Sequence, residues 1–322
     1  MAPQSYYLGG KIRASDFNGF ANDINEIVGL GAGDSGYGQS QLLVTLVTAG
    51  SKVRAANWDE LLTSIKFAAL HQATTISIPT VTTDPDFPAP NRIIELIPTL
   101  EADITSVRAN KLNYDISLMT LETNKISSSK TFVDPVTAGN HWDNSSNPQN
   151  YEFKTTFADT DAMRNFFNAG GEIRLSTELT GYDVSHAQSD SWADLLTAIA
   201  MVKLSNNSTE SSASVGTPGV GFTGLTATYA LVYTKGGTDY YVQNQLNVYA
   251  KTNGSAVDIK IEYNDGHVAD TGTITGGGSW TGTDYTEGTL TVTIDQQRAD
   301  DNDVSGNGVV SPTPTYSHIS EL

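Results

Sequence analysis

The sequence predicts a multidomain α+β protein: a small N-terminal helix-containing repeat domain, a short coiled-coil helix, and a mainly antiparallel, sandwich-like C-terminal β domain with two short helices. Three observations carry this. One amphipathic pattern occurs twice within residues 1–78. A run of apolar residues at alternating steps of three and four follows it. From about residue 131 alternation by two takes over, punctuated by Gly-Gly, Asn-Gly and Asp-Gly pairs.

The repeated pattern is KIRASDFNGFANDI, from Lys11, and KVRAANWDELLTSI, from Lys52, at an offset of 41. It aligns Ile12 with Val53, Phe17 with Trp58, Phe20 with Leu61 and Ile24 with Ile65. Each copy reads as an extended piece entering a helix, with Ser15 or Asp16, and Asn57, as N-caps that accept from orphan amides of the first turn. The apolar positions then share one helix face, and neither short helix buries that face alone. The two copies are therefore expected to pack together as one domain, residues 1–78. A looser third copy starts at Gly171-Glu172-Ile173-Arg174 and resumes at Trp192, Leu195 and Ile199.

Residues 79–96 contain Pro79, Pro85, Pro88 and Pro90 and read as a semi-rigid linker. After it, Ile97, Leu100, Ile104, Val107, Lys111, Tyr114, Leu118, Leu121 and Lys125 follow a heptad spacing over residues 97–126. Pro98 suits a first helical turn, where its missing amide costs nothing. A Pro-flanked helix with such a stripe is expected to pair with copies of itself.

The β domain is expected over residues 131–322. Asp159 to Gly171 reads as a short helix closed by Gly170 or Gly171, and a second helix starts near Ser189 or Ser191. Around and beyond them lie alternating strands, with hairpin turns at Gly236-Gly237, Asn253-Gly254 and Asp265-Gly266.

The composition narrows the function classes. A formal charge of −18 disfavours binding to phosphate backbones or anionic lipid, so neither nucleic acid nor membrane is an expected partner. With no cysteine there is no disulfide or thiolate metal site. The first residues lack the basic and apolar regions of a secretory leader, and no apolar run approaches the roughly 20 residues of a membrane-spanning helix.

The chemistry-bearing patterns are weak. Gly31 to Gly36 matches a dinucleotide-binding pattern but follows a helix and precedes a strand, the reverse of what a pyrophosphate site needs. His71, His141, His186, His267 and His318 are scattered, without paired metal spacing. Asp300, Asp301 and Asp303 bring hard oxygens together but lack the rest of a calcium loop. No cofactor, metal or catalytic residue is expected, and the reading is that of a non-enzyme. Tyr229, Tyr233, Tyr240, Tyr241, Tyr249, Tyr263, Trp280 and Tyr285 leave open a carbohydrate-binding surface.

The stretches GGKIRASDFNGFANDINEIVGLGAGDSGYGQ and VTAGSKVRAANWDELLTSI resemble the N-terminal region of tailed-bacteriophage virion structural proteins. NYEFKTTFADTDAMRNFFNAGGEIRLS and SDSWADLLTAIAMV resemble a C-terminal module of the same group, found in tail, neck and fibre-like proteins. The resemblance implies a virion component assembled in the host cytoplasm, a fibre-like appendage docked at one end on the neck, collar, tail or baseplate. It also implies a homotrimer, whose partners are itself, other virion proteins and, in the alternative reading, a host surface glycan. Under that reading the oligomer seam is Ile97, Leu100, Ile104, Val107, Lys111, Tyr114, Leu118 and Leu121. The docking core is Ile12, Phe17, Phe20, Ile24, Val53, Trp58, Leu61 and Ile65.

Overall fold

A computed structural model describes residues 12–29, 35–78, 90–133, 142, 148–267, 271–274, 278–281, 285–300 and 308–321. The chain forms two compact units. Unit 1 gathers Met1–Thr120, Arg164–Gly171 and Arg298–Pro312; unit 2 gathers Leu121–Met163, Glu172–Gln297 and Thr313–Leu322. By this division the chain passes between the units five times.

Unit 1 is built on α1 (Ala14–Val28), α2 (Ala55–His71) and α3 (Pro90–Ala109). The first two start alike. Arg13 and Arg54 are extended, and their N–H groups donate to Asp16 Oδ2 and Asn57 Oδ1, each at 2.9 Å. Asp16 and Asn57 thus act from the third helical position, reaching back to the residue before the helix, instead of standing as N-caps themselves. Phe17 meets Trp58 edge to face, with centroids 5.2 Å apart at 81°. Phe20, Ile24, Leu61 and Ile65 are buried around that pair, with Ile12 and Val53 packed at its margin.

Two extended segments lie on these helices without a sheet to satisfy their backbone, and side chains serve instead. The Asn25 amide donates to Val44 O and accepts from Val44 N, and Asn18 does the same for Val47. The Asp103 carboxylate on α3 accepts from the N–H groups of Ser77 and Ile78.

The coiled-coil reading is corrected here. α3 already begins at Pro90, inside the expected linker, so Pro98 lies within the helix, where it leaves the Ile94 carbonyl without its helical donor. Ile97, Leu100, Ile104 and Val107 are buried in the same core as α1 and α2. The helix ends at Ala109; Lys111 follows in a turn, Tyr114 in the irregular stretch after it, Leu118 closes a 3-10 turn, and Leu121 lies in a strand. The physical reason is local. Asn110, Asn113 and Asp115 favour turns; Asp115 Oδ1 accepts from Ser117 N at 2.9 Å. Beyond it the β-branched residues Thr120, Thr123, Ile126 and Thr131 suit an extended strand better than a helix.

The helix α4 (Thr160–Asn168) ends as a Schellman turn, with Gly171 N–H donating to Phe166 O at 2.8 Å and Gly170 N–H to Phe167 O at 3.1 Å. Gly170 has φ +81°, and a Cβ there would fall 2.5 Å from the Tyr114 ring, so glycine is required twice over.

Among the described residues, unit 2 is built around a sheet of eleven strands. In chain order the strands of the protein are β1 (Met119–Phe132), β2 (Gln149–Thr156), β3 (Glu172–Thr180), β4 (Met201–Leu204), β5 (Ser208–Ser211), β6 (Thr217–Val220) and β7 (Ala230–Gly236). They continue with β8 (Gln245–Asn253), β9 (Ala256–Asn264), β10 (Thr271–Ile274), β11 (Gly278–Thr281), β12 (Gly288–Ala299) and β13 (Thr315–Ser320). The spatial order is β1-β12-β3-β4-β5-β6-β7-β8-β9-β2-β13, with β10 and β11 as a separate hairpin. The sandwich-like expectation thus gives way to one continuous sheet. Its two ends are joined by side chains: Tyr316 Oη on β13 donates to Gln296 Oε1 on β12 at 2.8 Å, and Gln296 Nε2 donates to Glu122 Oε2 on β1 at 2.9 Å.

Helix α5 (Ala187–Ile199) starts after His186, ahead of the serines expected to cap it. It buries Trp192 against Trp142 (centroids 4.6 Å) and Tyr263 (6.3 Å). Its Trp192, Leu195 and Ile199, the third copy of the repeat spacing, therefore pack in unit 2, apart from the first two copies. The Asn253-Gly254 turn joins β8 to β9 in register, with Gly254 at φ +62°. Among the described residues no hairpin forms at Asp265-Gly266: β10 pairs with β11, and the buried Asp265 carboxylate accepts from Gln188 Nε2.

Leu100→Ala should destabilise unit 1 by about 2–5 kcal/mol in denaturant unfolding. Leu121→Ala, at a 47 % exposed position, should stay within about 0.5 kcal/mol. Equal effects from the two would restore a shared seam.

Candidate functional site

The segment Gly36-Tyr37-Gly38-Gln39 is the centre of a hydrogen-bonded polar site in unit 1. Tyr37 is fully buried; its hydroxyl donates to Lys111 O at 2.6 Å and accepts from Gln72 Nε2 at 2.8 Å. Burial pushes its phenol far above the ordinary range, so it stays neutral. Gln39 Nε2 donates to Val310 O at 2.9 Å while Gln39 Oε1 accepts from Val310 N at 3.1 Å. Gly38 has φ +72°, and a Cβ there would sit 2.1 Å from Asn165 Nδ2. Asn168 Nδ2 donates to Gly36 O at 3.1 Å. These contacts fasten residues 164–171 and 308–312 to the helices.

Beside Tyr37, with ring centroids 4.9 Å apart, is His71. It lines a small cavity with Phe67, Leu70, Leu118, Asp300, Gly308 and Val309. Its Nε2 has no hydrogen-bond partner among the described residues. Desolvation lowers its pKa to about 4, partly opposed by the Asp115 charge.

On unit 2 the outer face of β2, β9 and β8 carries alternating charge. Lys154 and Lys251 lie 3.8 and 3.6 Å from the two oxygens of Asp258, and the Lys260 and Glu262 side chains pair along β9. Lys251 sits over the Tyr229 ring at 4.4 Å, and Lys260 over Tyr249 at 4.8 Å. Each lysine thus has an anion or a ring beside it, which makes this a self-neutralised face. At the loop between β7 and β8, Tyr240 is 55 % and Val242 61 % exposed; Tyr240 and Tyr241 both flank His267, at 4.6 and 4.9 Å.

The residues singled out in the sequence are distributed as follows. The docking-core residues come together between α1 and α2. The seam residues do not form one line: Lys111 Nζ donates to Ser35 Oγ at 2.8 Å, and Lys125 pairs with Glu122. Tyr233 and Tyr263 are buried, and Tyr229 and Tyr249 lie on the charged face. Tyr285 packs on His186, whose Nδ1 is 3.0 Å from Glu287 Oε1, and His318 meets the Tyr151 ring. Asp300 pairs with Arg298 at 3.8 Å. Gly31, Asp34, His141, Asp301, Asp303 and the Trp280 side chain lie outside what the structure describes. Among the described residues no group of three His, Cys, Asp or Glu is placed to hold a metal ion, and no helix is long and apolar enough to cross a membrane. Sequence reasoning missed Gln39, Asn18 and Asn25 and counted His71 only among scattered histidines; Gly36-Tyr37-Gly38-Gln39 read only as the start of a strand, whereas the structure has no strand there.

No protein-family model matches the chain, and neither a curated protein nor a solved structure matches it.

His71 gives an acid dependence with a definite sign. Its unfolded form takes up a proton near pH 6.5, while the folded form resists until about 4. Stability of unit 1 is therefore full above pH 6.5 and falls as pH drops toward 4, by about 3 kcal/mol in total. His71→Gln should remove this part of the slope in unfolding measured between those pH values. An unchanged slope would mean that His71 is not the group responsible.

Proposed function

We propose that this chain is a non-enzymatic structural component of a tailed-phage virion, an appendage that docks through unit 1. The single observation behind the reading is the sequence resemblance of residues 9–65 and 150–202 to such proteins. Two features agree with it. Within the resembling stretch, two helices begin with the same Arg–backbone closure 41 residues apart and share one aromatic core, as copies of one ancestral repeat would. The segment Gly36-Tyr37-Gly38-Gln39, also inside it, holds unit 1 together.

The proposed partners are other copies of the chain, as a homotrimer, and neighbouring virion proteins; the place of action is the virion, assembled in the host cytoplasm. Since α3 spends its apolar stripe inside unit 1, self-association is assigned to other surfaces. Gold-labelled antibody against the chain should decorate particles of the phage carrying its gene at one fixed position. Particles left bare would overturn the proposal. In light scattering after size exclusion, the purified chain should have three times the 34.4 kDa of one copy.

A second reading, recognition of a host glycan, is favoured by the exposed Tyr240 on the β7–β8 loop, since an exposed ring can stack on a sugar. Binding on a glycan array that disappears with Tyr240→Ala would support it, and silence across the array would remove it.

A further inference from the structure

The last strand of the chain has properties that set it apart from the other strands of unit 2. Among the described residues β13 pairs with β2 alone, as the final strand of the sheet order. Its register slips between His318 and Ser320. Thr315, Ser317, His318, Ile319 and Ser320 are all exposed, and only Tyr316 is partly buried. Removing β13 from its place would therefore uncover little apolar surface of its own, and strands with so little burial open at low free-energy cost. Among the described residues, what holds β13 is the ladder to β2 and three side-chain hydrogen bonds: Tyr316 Oη to Gln296 at 2.8 Å, Tyr151 Oη to His318 Nδ1 at 3.1 Å and Thr315 Oγ1 to Thr156 O at 3.4 Å.

The route into β13 matters as much. Upstream, Ser311 N–H donates to Ala299 O at 3.0 Å and Ala299 N–H to Ser311 Oγ at 3.2 Å. That double contact, with the Gln39–Val310 exchange, fixes the chain as far as Ser311 in unit 1. Between Ser311 and Thr315 stand Pro312, Thr313 and Pro314. Each proline fixes its own φ and biases the residue before it toward an extended form. A short, stiff connection between a firmly held segment and a lightly held strand favours exchange of that strand between copies, because the strand finds the same contacts on a neighbour that it has at home.

We propose that β13 is an exchanged strand: in the assembled protein it leaves its own unit 2 and completes the sheet of a second copy of this chain, pairing with that copy's β2. The inference rests on the self-assembly put forward above and gives it a contact. The receiving edge is β2, Gln149–Thr156, where Phe153 is the register partner of the incoming His318 and Tyr151 Oη meets its ring nitrogen. The polar ends match as well, since Gln296 of the receiving copy accepts from the incoming Tyr316. No new complementary surface has to exist, since every contact is already present in the single chain.

The absence of cysteine from the sequence makes the test direct. Lys154 and Ser317 are register partners across β2 and β13, as are Thr156 and Thr315. The full-length double variant Lys154→Cys with Ser317→Cys is oxidised and run on a denaturing gel without reductant. The proposal expects nearly all of the protein as linked chains: two where copies exchange mutually, three where exchange runs around a ring. A single-chain band with its thiols consumed would overturn it, and so would thiols that remain free. Thr156→Cys with Thr315→Cys is the second variant, should the first fail to fold. Light scattering on the same samples separates the two ideas. A trimer with its disulfides inside single chains defeats the exchange and leaves the assembly reading standing. A monomer defeats both.

Discussion

Gln39 exchanges both ends of its amide with the backbone of Val310, across 271 residues of sequence, and the layout of unit 1 depends on that exchange. Helices satisfy their own backbone; extended segments outside a sheet cannot, and each unmet buried N–H or C=O costs as much as a lost hydrogen bond. Unit 1 solves this with side-chain amides and a carboxylate placed on helices or beside them. Asn25 and Asn18 do for residues 44 and 47, respectively, what Gln39 does for residue 310, and Asp103 accepts from the N–H groups of residues 77 and 78. The tertiary contacts of a mostly helical unit are thus partly a sheet ladder made of side chains.

This explains what the sequence did and did not reveal. Helix starts were legible because Asp16 and Asn57 act within four residues of the group they satisfy, and the aromatic repeat marked the face to be buried. The β8–β9 hairpin was legible from Asn253-Gly254, where one residue needs a positive φ. The seam was misread because a three-four spacing states only that a helix buries one face; it is silent on whether the cover comes from the same chain or another. Ile97 through Val107 meet the first condition against α1 and α2. The stop at Asn110 was present but outvoted by Leu118 and Leu121, which belong to different elements. Gln39 and His71 were beyond reach, since their partners lie far along the chain and no local pattern distinguishes a glutamine that binds backbone from one that meets water.

The two units handle charge differently. In unit 2 the lysines of the outer sheet face are balanced by Asp258 and Glu262 and by the faces of Tyr229 and Tyr249, so a chain of strong net negative charge keeps a locally neutral, ordered surface there. In unit 1 a neutral imidazole and a neutral phenol are buried side by side at the point where three stretches of chain converge. Polar groups of that kind contribute specificity of packing only while they remain uncharged.

The interleaving of the units bears on how the protein is made. Unit 1 needs residues 298–312, which follow almost the whole of unit 2. During synthesis its three helices are complete long before the residues that lock Gln39 and close over His71 leave the ribosome, a wait on the order of ten seconds or more at ordinary elongation rates. For that interval the helices have their apolar core but not its cover. Unit 2 is meanwhile spun out between them, so the second unit is nearly finished before the first can be sealed.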